Sequence, residues 1–313
     1  MTPDAAREAC ALIWAHRAAG TRLGALPPAL RPATRAEGYA VQAALEEFGP
    51  LWGWKIAATS RAGQRHINVD GPLAGRILTS MLVPEGAPVP LAGNAMLVAE
   101  PEFVFRMGQD LPPRDAAYTQ AEVMEAVAAL HLGIEVPDSR FADVTAAGGP
   151  GLIADNACAH LMVPGPEAPA PWRDLDLAAQ RVACTVAGRC AREGLGANVL
   201  GDPRSALAWL ANELSRHGAT LRAGQYVTTG TCAVPLDLRP TGESIIADYG
   251  ALGRRVRRSG HQPELPLGCE RPARASRRHP ADPAAAGHAG DAAAPGGGDD
   301  PGQGRADRRR AAG

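Results

Sequence analysis

Apolar positions recur at two different periods along this chain, and the switch between them divides it. Near the start the spacing is helical, with apolar residues three and four apart predicting helices over 4–19 and 34–48. From residue 51 the apolar runs become short and are bounded by turn residues, which is the habit of strands. Helices interrupt the strands twice. Thr119–Leu130 carries a stripe of Val123, Ala126, Val127 and Leu130. Asp202–His217 is the better defined: Asp202 caps it, Pro203 fits the first turn, Ala206, Leu207, Leu210 and Leu214 form the apolar face, and Gly218 supplies the stop. Val182–Val186 and Arg189–Glu193 flank Ala187-Gly188 as a hairpin with a small turn. No repeat is visible. The pattern predicts a β-rich α+β protein: an N-terminal helical segment, 1–50, then a β-rich domain over 51–253.

At Arg254 the pattern stops. Aromatic residues vanish, the aliphatics shrink to Val256, Leu265 and Leu267, and Arg, Ala, Gly and Pro dominate to residue 313. Such text cannot build a core and is expected to be disordered. It holds 12 arginines against 7 acids, so the tail carries +5 and the body −6. No aromatics are interleaved with the arginines to stack on bases, so no nucleic-acid partner is expected. The abrupt change reads as a frameshift in a GC-rich gene rather than a functional tail.

Composition adds limits. With 313 residues, 45% of them hydrophobic, and a net charge of −1, the chain can bury one sizeable core. Met1–Gly20 carries Asp4 and Glu8 in a helical pattern, unlike a secretory signal, and no run is apolar enough to span a bilayer. Cys10, Cys158, Cys184, Cys190, Cys232 and Cys269 form no Cys-x-x-Cys pair. They read as reduced thiols of a cytoplasmic protein rather than zinc ligands.

Lys55 is the only lysine, against 31 arginines. A guanidinium stays charged, whereas an ε-ammonium exchanges a proton when burial and neighbours tune it. The flanking Trp52-Gly53-Trp54 and Ile56-Ala57 would bury the amine in a strand, although a stray surface lysine in an arginine-biased chain has the same sequence. In Leu97–Phe105 the period of two places Glu100 and Glu102 on one strand face and Ala99, Phe103 and Phe105 on the other, with Pro101 restricting the strand to an edge or a bulge. Glu135 lies in a second apolar run, Leu130–Pro137. Three clustered carboxylates need a cation, and oxygen-only ligation suits Mg²⁺ or Mn²⁺; a solvated strand face is the alternative for a lone Glu-x-Glu. Thr229-Gly230-Thr231 offers hydroxyls and amides for a substrate carboxylate or enolate, or simply a strand end with a turn glycine. Asp155-Asn156 caps a turn or orients substrate. Cys158, His66, His131 and His160 read as packing residues.

Taken in order, Glu37–Gln42, Gly53-Trp54-Lys55-Ile56 with Thr59-Ser60, Glu100-Pro101-Glu102, Ile134-Glu135-Val136, Ile153–Ala157, Ala206–Asn212 and Gly224–Thr231 resemble the fumarylacetoacetate hydrolase superfamily, over roughly residues 5–253. Within it the chain is similar to the 2-keto-4-pentenoate hydratase and 4-oxalocrotonate decarboxylase group. The resemblance implies a mixed β-roll enclosing a metal held by Glu100, Glu102 and Glu135, with Lys55 as the proton-transfer group. It implies hydration of 2-hydroxypenta-2,4-dienoate or a similar 2-keto or enol acid from aromatic-compound degradation. Decarboxylation of 4-oxalocrotonate on the same fold is the alternative, and a noncatalytic subunit beside an active relative is another. A homo-oligomer is expected, with a partner enzyme of the same pathway as a further candidate. Two features qualify the match. Pro72-Leu73-Ala74-Gly75-Arg76 stands where hydratases tend to carry Pro-Asp-Tyr-Gly, so one acidic group is missing and Arg76 becomes a candidate for a second substrate carboxylate, or a plain surface arginine. The hydrolase branch's His-x-x-Glu dyad is absent, and Lys55 precedes Glu100, an order that favours the hydratase and decarboxylase branch.

Overall fold

The computed structural model describes residues 1–260 apart from 85, 170, 187 and 188; the tail from 261 onward lies outside the described residues. The described residues form six α-helices and eleven strands. The helices are α1 (Pro3–Ala19), α2 (Arg35–Ala43), α3 (Arg61–His66), α4 (Gln120–Glu125), α5 (Val144–Ala154, kinked at Gly148) and α6 (Pro203–Arg216). The strands are β1 (Leu51–Ala57), β2 (Leu73–Leu78), β3 (Val98–Met107), β4 (Val127–Val136), β5 (Leu161–Val163), β6 (Arg181–Val186), β7 (Cys190–Leu195), β8 (Tyr226–Thr231), β9 (Leu236–Asp237), β10 (Ser244–Asp248) and β11 (Arg254–Arg258).

Local signals explain most boundaries. Thr2, Thr34, Ser60, Thr119, Asp143 and Asp202 each accept a hydrogen bond from the first turn of the helix that follows. The predicted 34–48 helix becomes α2 followed by a 3₁₀ turn, Ala44–Phe48. Helix α4 stops at Glu125, well short of the predicted Leu130. Val127 onward instead pairs with β3, because the β-branched and apolar run buries itself in the sheet at every position but Ala128. The β6–β7 hairpin forms, with its turn residues outside the description.

Seven strands build the main sheet, in the order β2-β1-β8-β3-β4-β5, with β9 pairing β3. A second sheet runs β11-β10-β6-β7. Strand β3 therefore sits in the middle of its sheet. Pro101 is accommodated there because the β3–β8 register shifts between Glu102 and Val104. The bulge expected of that proline is present, but the edge position is not. Strand β11 also extends the folded body past residue 253. Its backbone pairs with β10, and ladder bonds need no apolar side chains.

The main sheet separates two environments. On the core face Trp54, Phe103, Phe105 and Ile134 join the large hydrophobic cluster. The other face carries Lys55, Glu100, Glu102 and Glu135, with a small apolar cluster of Ile77, Leu78, Met81, Val104 and Met162 beside them.

Candidate active site

Antiparallel pairing sets Glu100 directly opposite Glu135, while Glu102 opposes Gly133 one step along the same face. One oxygen from each of the three carboxylates lies within 4.8 Å of the others. Glu102 and Glu135 are fully buried and Glu100 is half-buried. Parallel pairing of β1 with β8, and antiparallel pairing with β2, carries Lys55 to this face, where Nζ lies 3.2 Å from Glu135 Oε1 and donates to the Ala157 carbonyl at 3.1 Å.

A metal fits this donor set. Glu102 Oε1 and Glu135 Oε2 are buried without a partner, and Glu135 Oε1 has only its ion pair with Lys55, which is costly unless a further cation answers them. Burial and the charge of Glu135 push Glu100 up to about 7. The same two causes, with Glu100 added, raise Glu102 well above the carboxylate range. For Lys55 burial opposes the charge, but Glu135, Glu100 and Glu102 outweigh it, so its pKa is raised. A proton or a hard divalent ion is what these oxygens lack.

Supporting contacts hold the carboxylates and the lysine in place. Gly230 donates its N–H to Glu102 Oε2 at 2.8 Å. Its φ of +97° and the 2.3 Å separation between a hypothetical Cβ and Thr59 Oγ1 exclude any side chain there. Gly75, opposite Lys55, is equally constrained: a Cβ would sit 2.5 Å from the Asn156 carbonyl and 2.9 Å from Lys55 Cγ. Asn156, Ala157 and Cys158 are three successive left-handed residues, at about 1–2 kcal/mol each. That turn aims the Ala157 carbonyl at the lysine.

Several residues expected to touch substrate have other tasks. Thr229 Oγ1 donates to the Phe103 carbonyl and Thr231 Oγ1 to Ala233. Asn156 uses its amide on the backbone of Arg76, accepting from its N–H at 2.6 Å and donating to its carbonyl at 2.7 Å. Arg76 points to the core face, because the strand alternates and Gly75 already faces Lys55. There it stacks over Trp54 and bonds Glu46 and Gln42, so it is neither a surface arginine nor near the carboxylates.

One group escaped the sequence reading. Thr228, opposite Lys55 in the β1–β8 register, has a buried hydroxyl with no partner. The period of two pairs Thr228 with Gly230 on the site face and Thr229 with Thr231 on the other, a signal that was available. The Ala157 carbonyl leaves no trace in side-chain identity.

Residues 66–257 match the family model described as fumarylacetoacetate (FAA) hydrolase C-terminal. The chain belongs to the fumarylacetoacetate hydrolase family. A 2-keto-4-pentenoate hydratase of Burkholderia vietnamiensis is 36% identical over 190 residues, 61% of this chain and 71% of that relative. A 4-oxalocrotonate decarboxylase of a Pseudomonas species is 30% identical over 203 residues, 64% of this chain and 75% of the relative. Among solved structures, the 4-oxalocrotonate decarboxylase from Pseudomonas putida G7, complexed with magnesium and adipate, aligns with a TM-score of 0.74 at 25% identity. That alignment covers 83% of this chain and 98% of the other. No described helix is long and apolar enough to cross a membrane. The five described cysteines are free.

Proposed function

We propose that this protein is a divalent-metal-dependent lyase that adds water to 2-hydroxypenta-2,4-dienoate or a similar small 2-keto or enol acid. The observation that carries the reading is the convergence of three carboxylates, two of them fully buried with oxygens that lack donors, on the chain's single lysine. The hydratase names of the relatives support the reaction class. Glu100, Glu102 and Glu135 would hold the ion, for which Mg²⁺ and Mn²⁺ are both suitable. When bound, it supplies positive charge that favours the enolate form of a 2-oxo acid.

Lys55 does the proton work. Its raised pKa keeps Nζ protonated in the metal-free site, and the Ala157 carbonyl fixes its direction. The ammonium delivers a proton to the terminal carbon of the dienol, and the amine left behind recovers one from the 2-hydroxyl as that group becomes a ketone. Water then adds to the resulting unsaturated 2-oxo acid and yields a 4-hydroxy-2-oxo acid. Gly230 and the turn at Asn156–Cys158 keep donor and carboxylates in register through both steps. The buried setting excludes bulk water from the enolate.

Decarboxylation of 4-oxalocrotonate is the second reading, supported by the structural likeness to a decarboxylase. A cytoplasmic homo-oligomer working beside other enzymes of the pathway completes the proposal.

Purified protein with Mg²⁺ or Mn²⁺, given 2-hydroxypentadienoate and, separately, 4-oxalocrotonate, tests both readings. Formation of the 4-hydroxy-2-oxo acid is expected from the first. Lys55→Arg should slow it by roughly 10²–10⁴-fold, the usual weight of general acid–base help, while retaining the metal. Carbon dioxide release from 4-oxalocrotonate alone would select the second reading, and inertness towards both would leave the noncatalytic subunit.

A further inference from the structure

Behind the lysine strand, on the core face, lies a cavity of about 270 Å³ between α2, α6 and β1–β2. It opens past the exposed Ala36, Ala40 and Ala43, which recur three and four apart on α2, and its floor holds Trp54, Tyr39 and Arg76. Arg76 is 7% exposed. Its Nε donates to Glu46 at 3.0 Å and its Nη1 to Gln42 at 2.7 Å, whereas Nη2 has no partner among the described residues. The guanidinium carbon sits 4.6 Å from the centre of the Trp54 ring.

The geometry points to a second ligand site here, for a small monocarboxylate with a flat apolar body, separate from the three-carboxylate centre. A buried guanidinium with free N–H bonds is a carboxylate receptor, and its two occupied nitrogens fix the plane in which the third is presented. The Trp54 face and Leu214 favour an apolar ring over a polar chain. Glu213 stands on the same wall, but Arg35 at 2.8 Å, Arg216 at 2.6 Å and the Tyr39 hydroxyl at 3.0 Å answer its charge. A dianion such as phosphate would still face that carboxylate with excess charge. The volume falls just below the roughly 300 Å³ at which drug-sized sites begin, so the occupant is small. The site does not depend on the proposed reaction.

Benzoate is the probe, added to the full-length protein while tryptophan fluorescence and calorimetry are followed, with and without saturating Mg²⁺ and oxalate. Benzoate should bind equally in both conditions, and benzamide, the same shape without the charge, at least tenfold more weakly. Ala40→Leu fills the mouth from an exposed helix position and should abolish binding. Arg76→Gln removes the charge and serves as a second test should the leucine variant fold poorly. Displacement of benzoate by oxalate, equal affinity for benzamide, or binding retained in a folded variant would overturn the assignment. So would a change of oligomeric state in Ala40→Leu, which would make this face a contact between copies.

Discussion

On the core face of β3, Phe103 meets Tyr249 edge-on and Phe105 packs at an angle to Trp172, while Glu100 and Glu102 of the same strand emerge on the other face, where Glu102 Oε1 is buried without a donor. A single strand thus serves two opposite purposes. Where side chains are apolar and fully enclosed, burial stabilises the fold. Where carboxylates are enclosed without partners, burial destabilises them and leaves an unmet demand for positive charge. The contrast teaches that the site is carried by the rigidity of its other side: the core face holds strands together that the carboxylates alone would push apart.

The largest effects should separate the two faces. Phe103→Ala is expected to cost about 3–5 kcal/mol, as buried Phe truncations do, with the folded fraction still binding Mg²⁺. Glu102→Gln should do the reverse, abolishing Mg²⁺ and Mn²⁺ binding while leaving the metal-free protein about as stable as before, since burial already favours the neutral carboxyl and the amide keeps an oxygen to accept from Gly230. Urea unfolding and calorimetry of both variants check this. A Glu102→Gln variant as unstable as Phe103→Ala would show that Glu102 is a structural residue, and the contrast would collapse.

Sequence periodicity made this contrast readable in advance, because alternation alone assigns Glu100 and Glu102 to one face and Phe103 and Phe105 to the other. The solitary lysine and the capping signals of α6 were equally legible, since each is a local property. What failed depended on neighbours distant in the chain. Pro101 reads as an edge or a bulge residue until the β8 register selects the bulge, and Arg76 reads as a substrate ligand or a surface arginine until β2 is seen to alternate against Lys55. Asn156 looked like a substrate contact because its amide's true partner, the Arg76 backbone, is 80 positions away. The strand Arg254–Arg258 was hidden for another reason: backbone pairing leaves little mark on composition.

A smaller effect follows from the raised carboxylates. Glu100 titrates at about 7 in the folded chain against 4.5 as its ordinary value, and Glu102 shifts in the same direction. Between those values the folded state binds more protons than the unfolded one, so stability of the metal-free protein should fall as pH rises from about 4.5 through about 7. Saturating Mg²⁺ should cancel most of that fall by replacing the proton. Outside the cluster two groups oppose each other: Asp155, raised to about 6 by burial, adds a fall that the metal does not remove, and His160, lowered to about 2 by burial and the charge of Arg17, adds a rise that offsets it. Melting temperatures at pH 5 and 7.5, with and without Mg²⁺, measure the difference, expected to be several degrees at about 2–4 °C per kcal/mol for a body of this size. Identical slopes in both conditions would place the titrating groups elsewhere.

The finest test concerns a side chain that reaches from the core face to the backbone of the site. Tyr249, fully buried, donates its hydroxyl towards the carbonyls of Glu102 and Gly133 at 3.2 and 3.3 Å, and those two residues face each other across the β3–β4 ladder. Tyr249→Phe keeps the ring contact with Phe103 and removes only the hydroxyl, so the loss should be about 0.5–1.5 kcal/mol, the net worth of an ordinary hydrogen bond. If the two faces are energetically separate, the melting temperature should drop by a few degrees while Mg²⁺ affinity stays within a few-fold of the parent, because the ladder and the Gly230 bond still position the Glu102 carboxylate. Metal affinity reduced as far as in Glu102→Gln would instead mean that the core face sets the carboxylate geometry directly, through the backbone of the residue it supports.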